Sequence, residues 1–176
     1  MDRLTRGDIL AALEALAAAI DPALEPIEIA VVGGAAMVLL YDARATTKDV
    51  DAFAIIPETT ARLRTAAAQV AEARQLPADW LNDAAKGYLH GLALGPVILE
   101  RAGLRVRTVA VHQLLAMKLS AWRDDLDIDD ARLLLSKLAG DRDAVWKLVE
   151  PYLVPGRELK ARYAFDDLWE ARDAAR

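Results

Sequence analysis

Apolar residues recur at helical spacing from Asp8 to about Ile20, through Ile9, Leu13 and Leu16, until Pro22 and Pro26 stop the run. The pattern then changes. Ile27-Glu28-Ile29-Ala30-Val31-Val32 is a short β-branched stretch ending at Gly33-Gly34, which predicts a buried strand leading into a tight turn. Ala35 to Tyr41 is apolar all round and reads as a short buried helix. Arg44 to Lys48 is polar, a loop or the start of a strand, and Asp49 to Ile56 forms a second strand stopped by Pro57. Glu58 to Leu76 repeats the helical period, with Leu63, Ala66, Ala67, Val70 and Ala71 on one face and Pro77 as its end. Asp79 to Ala85 reads as a brief helix or an ordered loop.

Two more strands are expected at about 92–100 and 104–110, joined by a hairpin at Ala102-Gly103. The remainder is helical, at roughly 112–124, 128–138, 141–152 and 157–174, with breaks at Gly140 and Pro155-Gly156. The element order predicts a mixed α/β (α+β) core over 1–110, a small mixed sheet flanked by helices. A C-terminal helical bundle over 111–176 packs with that core as one unit.

Composition narrows the chemistry. With 55% hydrophobic residues the chain has the material for a real core, but aromatics at 6% and abundant alanine mean little area buried per residue. The absence of cysteine removes disulfides, thiolate zinc sites and thiol catalysis. His90 and His112 are the two imidazoles and have no partner spacing, so both are expected to be structural or surface residues. Any divalent metal would be held by carboxylate oxygens, which suits Mg2+ or Mn2+. A net charge of −5 argues against a broad basic nucleic-acid surface and leaves room for a local basic groove. No apolar run reaches the length of a membrane span and no basic, apolar leader precedes the first helix, so no membrane partner and a cytoplasmic location are expected.

The strongest chemical signal is Asp49 and Asp51. On a strand, residues two apart share a face, so both carboxylates project together and can share metal ions that neutralise a triphosphate. The alternative is two solvated acids at a strand edge. Gly33-Gly34 lies about fifteen residues earlier, at the junction of strand and helix, where bare backbone N–H groups can cradle phosphate oxygens. Taken alone, the pair is equally a turn chosen for backbone freedom.

Val32-Gly33-Gly34-Ala35-Ala36 followed by Arg44-Ala45-Thr46-Thr47-Lys48-Asp49-Val50-Asp51 resembles the first motifs of the polymerase β-like nucleotidyltransferase superfamily. The likeness is closest to the small bacterial branch related to the AbiEii and MenT toxins of type IV toxin–antitoxin systems. Asp79-Trp80-Leu81-Asn82-Asp83, Leu114 to Ala121 and the acidic stretch Arg123 to Asp130 add a resemblance to the DUF6036 family within that branch. Together the likeness covers about residues 28–135.

The resemblance implies a nucleotidyltransferase fold and an NTP substrate, with an acceptor hydroxyl on RNA (such as tRNA) or on a protein, and a cognate antitoxin as a partner. It implies that Gly33 and Gly34 contact the nucleotide phosphates and that Asp49 and Asp51 bind metal and act in catalysis. Lys118 matches a helix-borne lysine that reaches the triphosphate, and Asp127 or Asp130 matches a downstream acid. The alternative for Lys118 is a snorkelling surface lysine, and for Asp127 and Asp130 helix capping. Arg44 and Lys48 either bind phosphate beside the acids or are ordinary loop cations. Trp80 and Asn82 line a base pocket, or Trp80 belongs to the core. Two departures stand out: Ala35 replaces the usual serine after the glycines, and Leu104 to Val109 offers no third acid, leaving Glu100 on the preceding strand as the nearest candidate.

Overall fold

Thr5 and Asp8 set where the first helix starts. The Thr5 hydroxyl accepts from the Asp8 amide and the Asp8 carboxylate accepts from the Thr5 amide, a reciprocal cap that opens the helix two residues before the apolar pattern begins. The computed structural model describes residues 3–174. In chain order its elements are β1 (Leu4–Thr5), α1 (Arg6–Ala19), β2 (Ile27–Val31), α2 (Gly33–Leu40), β3 (Thr46–Thr47), β4 (Val50–Ala54), α3 (Thr60–Arg74), β5 (Leu81–Asn82), β6 (Leu94–Arg101) and β7 (Leu104–Val109). Four helices follow: α4 (Val111–Ala121), α5 (Asp125–Ser136), α6 (Arg142–Val149) and α7 (Glu158–Ala174). No helix is long and apolar enough to cross a membrane among the described residues.

These elements gather into two compact units. One runs to Ala85 and resumes over Leu94–Thr108; the other comprises Lys86–Ala93 and the chain from Val109 onward. In the first unit five strands lie in the order β5-β4-β2-β7-β6, with β1 and β3 forming a separate two-stranded antiparallel ladder. Strand β2 is antiparallel to β4 and parallel to β7, so the sheet is mixed, as the element order predicts. Its centre is fully buried: Ile27, Ile29 and Val31 share a face with Leu104, Val106, Val50 and Ala52. The opposite face carries Glu28, Arg105, Arg107 and Asp51. Helices α1 and α3 pack together, and Ile9, Leu13 and Leu16 of α1 and Leu63 and Val70 of α3 are buried.

Three elements depart from the sequence reading. Strand β4 begins at Val50, and Asp49 sits in the bend before it. The stretch 79–85 is neither helix nor plain loop: Leu81–Asn82 pairs parallel with Val50–Asp51, and a 3₁₀ turn follows over Ala84–Tyr88. A two-residue strand has no alternation to read, and its pairing comes from a partner thirty residues away. Helix α4 stops at Ala121 because Trp122 takes a left-handed conformation with φ 40°.

In the second unit α4 is the buried axis, every residue from Gln113 to Ala121 being buried, and it packs on α5, α6 and α7. Gln113 is completely buried and its amide closes the 86–93 segment onto the helices. Its Nε2 donates to the carbonyls of His90 and Gly91, and its Oε1 accepts from Ala93 at 2.6 Å. Tyr88 lies beneath the guanidinium groups of both Arg123 and Arg157. His112 stacks on Tyr152 at 5.1 Å, and burial holds its imidazole below the ordinary value, while His90 is exposed. The two histidines are thus packing and surface groups.

Candidate metal and nucleotide site

Strand β2 delivers the chain to Gly33, whose φ of 61° is left-handed and starts α2. A Cβ there would stand 3.0 Å from Oδ2 of Asp51, so the glycine leaves open a cradle that any side chain would fill. Gly34 is required for another reason. Its own Cβ would fall 2.6 Å from the Thr47 hydroxyl and 3.4 Å from an Arg44 guanidinium nitrogen. The glycine turn, the β3 hydroxyl, Arg44 and Asp51 are therefore packed around one another. The Val32 amide donates to the Asp51 carbonyl at 2.9 Å, which ties the end of β2 to the start of β4.

The carboxylates accept from β5 and from the segment that follows it. Asn82 Nδ2 donates to Asp49 Oδ2 at 3.1 Å, and the Ala85 amide donates to Asp51 Oδ1 at 3.1 Å. The two acids are half-buried and Val50 between them is fully buried, with Asp49 in the bend before the strand and Asp51 within it. Lys48 is exposed in the same bend, and Arg44 is half-buried against Gly34.

The Asp49 and Asp51 carboxylates would offer oxygen donors, the type that suits a hard divalent cation such as Mg2+ or Mn2+. It is a sparse set: no group of three or more His, Asp or Glu side chains converges for metal binding among the described residues. Glu100 does not complete it. Strand β6 is separated from β4 by β2 and β7, about 14 Å at ordinary strand spacing, and Glu100 is ion-paired with Arg105. The β7 positions that share the Asp51 face in the first unit are Arg105 and Arg107, and Arg107 pairs with Glu28 at 2.7 Å.

Lys118, Asp127 and Asp130 form a cluster of their own in the second unit. Lys118 is 8% exposed, not a snorkelling surface group, and its ammonium lies 2.9 Å from Asp127 Oδ1 and 2.7 Å from Asp130 Oδ2. Asp127 also accepts from the Arg123 backbone amide at 3.1 Å and from its guanidinium at 2.9 Å. Burial works to raise its pKa, but the hydrogen bonds from Arg123 and Lys118 outweigh it and bring the value to about 2. Neither acid is the helix cap. That role belongs to Asp124, whose carboxylate accepts from the Asp127 amide at 3.0 Å.

Sequence reasoning placed Trp80 in a base pocket or in the core; it is core, 1% exposed, with its indole N–H on the Ala67 carbonyl. It missed Thr47, whose importance appears only in its fit against Gly34. It also missed that Asn82 holds an acid, a contact that depends on the unforeseen β5.

The mixed five-stranded sheet with its flanking helices is consistent with a nucleotidyltransferase fold. The chain belongs to the family described as a nucleotidyltransferase of unknown function (DUF6036), which matches residues 8–150. No curated protein and no solved structure gives a significant match.

Proposed function

We propose that the protein transfers a nucleoside monophosphate from an NTP to an acceptor hydroxyl on RNA, such as tRNA, or on a protein. The observation that carries this reading is the left-handed Gly33 with the Asp51 carboxylate 3.0 Å from where its Cβ would be. There the backbone that would approach phosphate and the acid that would hold metal meet without a side chain between them. Asp49 and Asp51 would hold Mg2+ or Mn2+, which supplies charge neutralisation and polarisation of the phosphate. Gly33 and Gly34 present backbone amides to phosphate oxygens, while Arg44 and Lys48 add positive charge beside them. Transfer of label from an α-labelled NTP should require Mg2+ or Mn2+ and fall about a hundredfold or more in Asp49→Ala and Asp51→Ala, with thermal unfolding unchanged. Full activity in both variants would remove the mechanism.

A toxin of a type IV toxin–antitoxin system is the biological setting proposed from the family resemblance. Expression should then arrest growth in a manner relieved by Asp49→Ala and by co-expression of the neighbouring open reading frame. One observation favours a second reading, a nucleotide-binding protein that does not turn over: Arg105 and Arg107, not an acid, occupy the β7 positions on the Asp51 face. Calorimetric NTP binding without transfer to any acceptor would select it.

A further inference from the structure

Asn82 is half-buried and committed at every polar atom of its side chain. Its Oδ1 accepts from the Ala84 amide at 2.9 Å, which orients the carboxamide, and its Nδ2 donates to the Asp79 carbonyl at 3.2 Å and to Asp49 Oδ2 at 3.1 Å. The register of β4 and β5 sets Asn82 directly beside Asp51, on the same face. Position 82 thus touches one acid and neighbours the other.

The hydrogen bond to Asp49 and the register beside Asp51 together put the end of the position-82 side chain where a third oxygen donor would face both acids. We propose that Asn82 occupies the third-donor position of the Asp49–Asp51 centre as a neutral amide, positioning Asp49 by hydrogen bond where a carboxylate would bind metal itself. This rests on the reading of Asp49 and Asp51 as the metal-binding pair. As a positioning residue, Asn82 keeps Asp49 Oδ2 aimed, and its neutrality spares the site a third negative charge when no ion is bound.

Substitution to aspartate is the discriminating test, because it preserves shape and the acceptor for Ala84 while exchanging the donor to Asp49 for an oxygen. Mn2+ binding by the full-length protein, followed by electron paramagnetic resonance, should tighten about tenfold in Asn82→Asp and weaken about tenfold in Asn82→Ala. Helical content and thermal unfolding in chelator should show both variants folded. A structural role confined to the Ala84 turn predicts unchanged Mn2+ affinity in Asn82→Asp, and that result would overturn the proposal. If Asn82→Asp does not fold, wild-type affinity in Asn82→Ala overturns it equally. Asp49→Ala and Asp51→Ala separate the two levels of inference. Should both retain wild-type Mn2+ binding, the metal-pair reading has failed; should both lose it while the Asn82 variants match wild type, only the third-position inference has failed.

Discussion

Gly33 and Gly34 are adjacent and identical in sequence, yet each is required by a different contact. At Gly33 the backbone itself is left-handed; at Gly34 the space is taken by the Thr47 hydroxyl. An alanine within the first turn of a helix ordinarily stabilises by up to about 1 kcal/mol over glycine. With a Cβ 2.6 Å from Thr47 Oγ1, Gly34→Ala should instead destabilise, by about 1–2 kcal/mol. In a Thr47→Ala background the oxygen is gone and the same substitution should become neutral or stabilising. Chemical denaturation of the four proteins measures that sign change, and a cost independent of position 47 would refute the packing account. The sequence exposed the glycines and acids of this site because their spacing is local. Thr47 and the orientation of Asn82 stayed hidden because each depends on a fit across elements, Thr47 on Gly34 and Asn82 on Asp49.

At the scale of elements, α5 shows how a readable helix can carry an unreadable interior. Its apolar run was legible, but the string of acids before Ala131 gave no sign of which one caps and which are buried. Asp124 caps, while Asp127 and Asp130 turn inward onto Lys118. The buried Asp127 carboxylate sits at about 2 against an ordinary 3.8. Because the folded value is the lower one, its stabilisation is complete above about pH 4 and is lost as the pH falls toward 2, about 2 kcal/mol in all. Equilibrium unfolding from pH 5 to pH 2 should show that loss, and Asp127→Asn should be less stable at pH 5 and lack this part of the slope. Strand β5 went unread for the opposite reason: two residues carry no period, and only the pairing with Val50–Asp51 makes them a strand.

For the whole molecule, the hydrophobic pattern anticipated a mixed sheet and a helical C-terminal region, but not that the chain passes between the two units three times, near residues 85, 93 and 108. Pattern reading follows sequence continuity, whereas the grouping follows contacts such as those of Gln113, whose glutamine side chain gives no hint of three partners twenty or more residues away. A fragment covering 109–176 would keep α4 to α7 yet strip Gln113 of all three hydrogen bonds and Arg123 and Arg157 of Tyr88. Since removing the partners of buried polar groups costs about 1–3 kcal/mol each, this fragment should unfold at markedly lower denaturant than the helices do in the full chain. Circular dichroism at 222 nm would register the difference, and an equally cooperative, equally stable fragment would contradict it.

The placement of β2 between β4 and β7 also governs the order of events during synthesis. Its partner Ala54 follows Ile29 closely, whereas Leu104 pairs with Ile27. At translation speeds of about 5–20 residues per second, β2 waits roughly 4–15 s for that second neighbour to leave the ribosome. For that interval one edge of the most apolar strand in the first unit is bare, so the newborn chain needs protection before any nucleotide or metal could matter to it.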